Sequence, residues 1–196
     1  MPRTGAARLP EVGTRQSEEE AIRVALGLDS GRVELASEHS AWADEFSVER
    51  LRILEALAPH IVAIEHVGST AIPGVPAKPI LDIQLGVLSF ETAVVCIEPM
   101  RSLGYEYRGE YGIPRRHYFV KGDPRTHHAH MLEVDGETWQ SMLGFRDALL
   151  ARPDLAQAYG DAKLNILAMH RDNRAAYQQE KARVIARILQ SLSPRT

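Results

Sequence analysis

Residues 65–84, EHVGSTAIPGVPAKPILDIQ, constrain this chain more than any other stretch of it. The apolar run Ile61-Val62-Ala63-Ile64 leads into Gly68-Ser69-Thr70, and a second apolar run from Pro79 carries Asp82 and Gln84 at alternate positions. This reads as a strand, a tight turn and a second strand. Successive side chains in a strand point to opposite faces, so Asp82, Gln84 and Gly86 share one face while Leu81, Ile83, Leu85 and Val87 share the other, buried one. The acidic group is therefore expected on the open face. A charge among aliphatics is costly unless a metal, a cation or several donors compensate it, which makes Asp82 a candidate site residue; an ordinary ion pair with Lys78 or an arginine is the alternative.

The turn suits phosphate. Gly68 permits close backbone approach, and the amides and hydroxyls of Ser69 and Thr70 can wrap phosphate oxygens at a helix start. Taken alone, Gly-Ser-Thr reads as an ordinary strand-to-turn cap; a site is favoured only when it is coupled to Asp82 on the next strand and to the family resemblance given below. Gln84 offers an amide oxygen but no charge, so a pair of Asp82 and Gln84 would hold Mg²⁺ or Mn²⁺ with fewer hard anionic ligands than two acids provide. Lys78 sits in the stiff loop Pro73 to Pro79, where it either meets a phosphate or is solvated.

A chain of 196 residues suits one domain and buries roughly 70% of its unfolded surface. The net charge of -3 sets up no global basic field, which argues against nucleic acid or another polyanion as partner and for a small phosphorylated molecule. The single cysteine, Cys96, lies in an apolar stretch and reads as a buried, inert thiol. No run approaches the length of a membrane span, and the first twenty residues lack the apolar core of a secretion signal, so a cytoplasmic protein is expected. Nothing here bears on oligomeric state.

Along the chain, residues 1–31 read as an N-terminal extension with a short helix from the capping-box pattern Ser17 to Glu20 up to Gly27, and residues 32–192 as the main domain. A short strand near 32–35 is expected, then a core-facing helix over 41–58 with Trp42, Phe46, Ile53 and Leu57 on one side, ended by Pro59. Strands near 61–67 and 79–88 precede a helix over 90–103 closed by Gly104. Strands near 115–120 and 126–134 flank the turn Lys121 to Arg125; a five-residue loop pairs 118 with 128 and 116 with 130. Three helices follow from 137 to the end. The class is α+β, a mixed sheet of about four to five strands with flanking helices and a helical C-terminal cover.

His128 and His130 alternate onto one strand face, where they either share a transition metal, divide base and phosphate roles, or form a hydrogen-bonded sheet pair. Arg115, Arg116 and His117 form a local cationic cluster that either balances a triphosphate or a carboxylated substrate or is simply a pair of exposed arginines flanking an edge strand. Glu133, at odd spacing, falls on the opposite face from the histidine pair.

Several of these features, in this order, resemble one family. They are the block from Glu65 to Asp82, Gly112-Ile113-Pro114-Arg115-Arg116, Gly122 to His128, His128-x-His130 with Glu133, and Phe145-Arg146-Asp147. Together they resemble the GrpB-like proteins, a group assigned to the nucleotidyltransferase fold, over about residues 32–190. The resemblance implies a nucleotidyltransferase-like mixed sheet in which Gly68, Ser69, Thr70, Lys78 and Arg116 contact a nucleoside triphosphate, Asp82 and Gln84 hold a divalent metal, and Asp82, His128 and His130 serve chemistry. It also suggests that Lys163 or Lys181 reaches over the cleft. Three readings stay open at this point: metal-dependent nucleotidyl transfer, a nucleotide or metabolite binder that has lost turnover with the second acid, and a metal hydrolase centred on His128 and His130. For the histidines, contact with phosphate or substrate is expected ahead of a transition metal.

Overall fold

The computed structural model describes residues 26–29, 33–36 and 41–192. Helix α1 (Trp42–Leu57) leads to strand β1 (Ala63–Val67), a single 3-10 turn (Ser69–Ala71) and strand β2 (Leu81–Val87). A 3-10 segment (Thr92–Cys96) runs into α2 (Ile97–Ser102), followed by β3 (Tyr105–Tyr107), β4 (His117–Lys121) and β5 (His127–Glu133). Three helices close the chain: α3 (Glu137–Ala151), α4 (Pro153–Met169) and α5 (Arg174–Leu192).

The strands form one five-stranded sheet in the order β1-β2-β5-β4-β3. Only β2 and β5 run parallel, and β5 enters beside β2 through the β4–β5 hairpin, so the sheet is mixed. The α+β plan expected from the sequence is the one observed. One face is closed by α1 and α2: Ile53 and Leu57 meet Ile83, Leu85, Phe119, Ala129 and Met131, all fully buried. Each of these side chains except that of Ala129 contributes roughly 1.5–3 kcal/mol by leaving water. The other face carries Asp82, Gln84, His128 and His130.

That second face is open only at one end. Trp139 of α3 lies over Gly86, where a Cβ would stand 3.0 Å from the indole and 2.6 Å from Val134. Glycine is thus the residue that lets the helix seat this closely. Gln84 beneath it is completely buried and donates from Nε2 to the Trp139 carbonyl at 3.1 Å, while its Oε1 has no hydrogen-bond partner among the described residues. The open face read from strand alternation is therefore open at Asp82 and closed at Gln84. Alternation assigns a face; it does not say how far along that face a helix reaches.

Other local expectations are corrected. The segment near 32–35 is not a strand where it is described; its order comes from an isolated bridge between Ala36 and Ala77. The helix over 90–103 is split into the 3-10 segment and α2, and β3 follows it unforeseen. In the hairpin, Tyr118 pairs with His130 and Val120 with His128, two residues from the expected register. A slip of two keeps every side chain on its face, so Tyr118 still meets both histidines. The capping-box pattern Ser17 to Glu20 lies outside the described residues.

Candidate functional site

The site is built where β1, β2 and β5 run side by side. Register pairs Val67 with Asp82 and Asp82 with His128, so the Gly68 turn, the carboxylate and the imidazole come together at one end of the sheet. Gly68 has φ 73°, and a Cβ there would stand 2.5 Å from Asp82 Oδ2. Two demands thus select glycine, a left-handed backbone and contact with the acid.

Asp82 Oδ1 receives two imidazoles, His128 Nδ1 at 3.1 Å and His130 Nε2 at 3.5 Å. Burial alone would raise the Asp82 pKa; the hydrogen bonds and charge interactions of His128 and His130 outweigh it and hold the carboxyl below the ordinary carboxylate range. Asp82 is ionised at neutral pH. His130 shifts the other way, its pKa lowered chiefly by burial against the pull of Asp82. Its tautomer follows from its second neighbour. Arg116 Nη1 lies 3.1 Å from His130 Nδ1 and can only donate, so Nδ1 accepts and Nε2 carries the proton toward Asp82. Arg116 is buried, bonded also to the carbonyls of Glu110 and Tyr111, and stacked over the Tyr118 ring at 4.5 Å.

The neighbouring cations divide. Arg115 turns away to ion-pair with Glu91 and Glu133, and His117 is buried between the Tyr107 hydroxyl and the Phe90 carbonyl. The expected three-membered cationic cluster is therefore reduced to Arg116. Glu133, as expected from its spacing, stands apart from the histidine pair. Thr70 is buried with its hydroxyl on His66 Nε2 at 3.0 Å, and Ser69 Oγ lies 3.4 Å from the Tyr159 hydroxyl. The Phe145-Arg146-Asp147 motif has a structural explanation: Arg146 clamps α3 to β1 through Glu65 and the His66 carbonyl.

Beside Asp82 opens a cavity of about 340 Å³. Ser69, Thr70, Lys78, Asp82 and His128 line it; Gly68, Gln84, Arg116 and His130 stand behind the wall rather than on it. The helical cover supplies Lys163 from α4 and Arg174, Tyr177 and Lys181 from α5, while Arg108, Tyr111, Tyr118 and Arg125 close the far side. The lining holds six lysines and arginines (Lys78, Arg108, Arg125, Lys163, Arg174, Lys181) against three acids (Asp29, Asp82, Asp123). A chain of net charge -3 thus keeps a cationic pocket. Lys78, Arg125, Arg174 and Lys181 have no carboxylate within ion-pair distance among the described residues. Burial, then the charges of Lys181 and Arg174, push Lys78 down to about 8, and burial pushes Lys163 well below the ordinary lysine value. Lys163, 2% exposed, donates from its ammonium to the Pro76 carbonyl. Its helix reaches that loop because Gly160 lets Pro76 pack where a Cβ would stand 3.0 Å from the ring.

Sequence reasoning undervalued α5. Arg174, Tyr177, Gln178 and Lys181 stand at i, i+3, i+4 and i+7 and all line the cavity. That stripe is visible in the sequence, but charged helix faces are usually solvated.

The fit of a divalent cation is poor. Asp82 has one oxygen engaged by two imidazoles and the other against Gly68. Gln84 is not presented to the cavity, and among the described residues no group of three or more His, Cys, Asp or Glu side chains converges so as to hold a metal ion. Mg²⁺ and Mn²⁺ need hard oxygen ligands in an open octahedral set.

The comparisons agree on kinship. The UPF0157 protein YqkA of Bacillus subtilis (strain 168) is 40% identical over 151 residues, 76% of this chain; the match spans 44% of that relative's length. The glutamate-rich protein GrpB of Alkalihalophilus pseudofirmus is 29% identical over 173 residues, covering 85% of this chain and 99% of the relative. The crystal structure of the conserved protein GrpB from Enterococcus faecalis superposes with a TM-score of 0.73 at 30% identity, over 81% of this chain and 98% of that one. The family model described as GrpB protein matches residues 32–191, and the chain belongs to that family.

Proposed function

We propose that this protein binds a nucleoside triphosphate, or a phosphorylated small molecule like it, in the cavity beside Asp82. The observation that carries this reading is the excess of cations on the cavity wall, several of them without a carboxylate partner among the described residues. Unpaired ammonium and guanidinium groups held close to one another repel; a polyphosphate removes that repulsion and favours the charged forms of the desolvated Lys78 and Lys163. The volume lies at the small end of ligand pockets, roughly 300–1,000 Å³, and the exposed ring of Tyr111, stacked on Tyr118 at the cavity wall, offers a face for a base. The strand, Gly-Ser turn and strand with Asp82 supply the nucleotidyltransferase-like part of the reading.

The burial of Gln84 favours a second reading of the same cavity, a nucleotide binder without metal-dependent nucleotidyl transfer, because the position of a second strand acid is sealed beneath Trp139. Both readings predict binding; they part on turnover. Calorimetric titration of the protein with each nucleoside triphosphate, in EDTA and in Mg²⁺, is expected to show saturable binding in both. Lys181→Met should weaken it about tenfold, the loss of one charge-assisted phosphate contact of roughly 1.5 kcal/mol. Absence of binding by every triphosphate would overturn the proposal.

A further inference from the structure

His128 and His130, which share one face of β5, are not equivalent. Both nitrogens of His130 are engaged, Nδ1 by Arg116 and Nε2 toward Asp82, and the ring is set behind the cavity wall. His128 gives only Nδ1 to Asp82; its Nε2 has no hydrogen-bond partner among the described residues, and the residue lines the cavity. An imidazole that donates Nδ1–H to a carboxylate presents Nε2 as a lone pair, with the carboxylate in place to stabilise positive charge on the ring. Here the residue that carries it lines a chamber walled by cations.

We infer that His128 is a nucleophile, and that it forms a covalent nucleotidyl intermediate through Nε2. This rests on the triphosphate reading above and adds the reaction to it. The Nε2 lone pair attacks the α-phosphorus of a bound nucleoside triphosphate, forming a P–N bond as the bond from that phosphorus to the bridging oxygen breaks. Pyrophosphate leaves with the electron pair of that bond, its charge met by Lys78, Lys181 and Arg174. Nδ1 keeps its proton, and the cationic ring is balanced by Asp82. An acceptor hydroxyl, or water, then takes the nucleotidyl group, gives up its proton to solvent and returns the imidazole to its starting form. Asp82 is a positioning residue, held in turn through His130 by Arg116. No step needs a protein-bound metal, which accords with the sealed position of Gln84 and the engaged oxygens of Asp82.

The test uses the full chain and triphosphates labelled at the α or the γ phosphate. With α-label the wild type should acquire protein-bound radioactivity that survives base and is lost in mild acid, as a phosphoramidate is, with release of unlabelled pyrophosphate. Mass spectrometry should place a nucleoside monophosphate on His128. His128→Asn should abolish labelling and His130→Asn reduce it. Asp82→Asn should lower the labelling rate at least tenfold at saturating triphosphate, with the binding constant measured separately. Because a variant can fail by misfolding, His128→Gly is assayed with added imidazole, which should restore pyrophosphate release if the missing group is the nucleophile. Saturable triphosphate binding by the wild type without label would overturn the inference and leave the binding reading intact; label carried from the γ position, or on another residue, would also overturn it. No binding would remove both.

Discussion

The two walls of the cavity differ in what holds them. On the sheet wall polar groups are engaged with protein: Asp82 takes two imidazoles, and Arg116 is spread over His130 and two carbonyls. On the facing wall, Lys181 and Arg174 of α5 meet no carboxylate among the described residues; burial and then these two cations lower the pKa of Lys78 in the adjoining loop, and burial and then Lys181 lower that of Lys163 of α4. Breaking a satisfied buried network lowers folding stability, because it leaves a buried polar group or charge uncompensated, whereas cations without a counter-charge already reduce it. The sheet wall is thus set before any ligand arrives, and the facing wall is completed by one. Substitutions on the first should register in stability; those on the second should register in binding.

The largest effect is expected where the sheet is sealed. Gln84→Asp, the change that would restore a two-acid strand, shortens the side chain away from the Trp139 carbonyl and places a carboxylate beneath a helix. Denaturant unfolding should show a loss of about 3–5 kcal/mol, the scale of an unpaired buried charge, with no gain in Mg²⁺ affinity by calorimetry. Mg²⁺ binding by a stable Gln84→Asp protein would show that this end of the face opens, and the two walls would no longer be distinct in kind.

Arg116→Met comes next. It keeps the apolar contact with Tyr118 but leaves the carbonyls of Glu110 and Tyr111 and Nδ1 of His130 without their donor, and so should lower stability by about 2–3 kcal/mol. It also frees the tautomer of His130. Nuclear magnetic resonance of the ring nitrogens should then show Nδ1 protonated in part, where the wild type carries its proton on Nε2.

How far these walls were legible in the sequence follows from range. Period-two alternation placed Asp82, His128 and His130 on one face, and the local turn chemistry of Gly68 placed it beside them. The helices α1 and α3 to α5 were legible from their spacing because each repeats one signal over many residues. Three things were not. The reach of α3 over Gln84 depends on Gly86 and Trp139, residues 53 apart in sequence. The three-residue β3 is too short to carry a periodic signal and is held by pairing with β4. The stripe Arg174, Tyr177 and Lys181 has correct helical spacing, but only the packing of α5 against α3 and α4 decides that it faces a cavity rather than water.

His66 of β1 holds the turn through Thr70 and supplies an acid-side test. Burial lowers its pKa to about 4, against the pull of Asp82 and with Arg146 adding to the fall, while it bonds Thr70 and stacks on Phe46 at 4.7 Å. The unfolded chain protonates this histidine near 6.5; the folded chain does so only near 4. Between these values the unfolded state binds more protons, so the stability contributed by neutral His66 is present above 6.5 and is lost as pH falls toward 4. His66→Phe should abolish about 1–2 kcal/mol of that acid-side decline, read as a flatter plot of unfolding free energy against pH.

The smallest effect has opposite signs in stability and in binding. Lys78 is half-buried in the Pro73 to Pro79 loop, with its ammonium 5.3 Å from the centre of the Tyr177 ring, and its pKa is lowered to about 8. A lysine in the unfolded chain titrates near 10.4. Below about 8 both states carry the charge and the folded state bears the full unfavourable interaction; as pH rises from 8 to 10.4 the folded lysine releases its proton first, and stability increases. Lys78→Met should therefore stabilise the protein by about 1 kcal/mol at neutral pH, discounted for its partial exposure, and the gain should shrink toward zero above pH 10.4. Binding should move the other way. A bound polyphosphate favours the protonated lysine, so wild-type affinity should fall as pH rises through about 8, and titrations in buffers of different ionisation heat should show proton uptake there. In Lys78→Met the affinity should be lower at pH 7, and this proton uptake should disappear. If the substitution instead destabilises the protein and leaves phosphate affinity unchanged, Lys78 belongs with the satisfied sheet wall, and the division between the walls would have to be drawn through α4 and α5 alone.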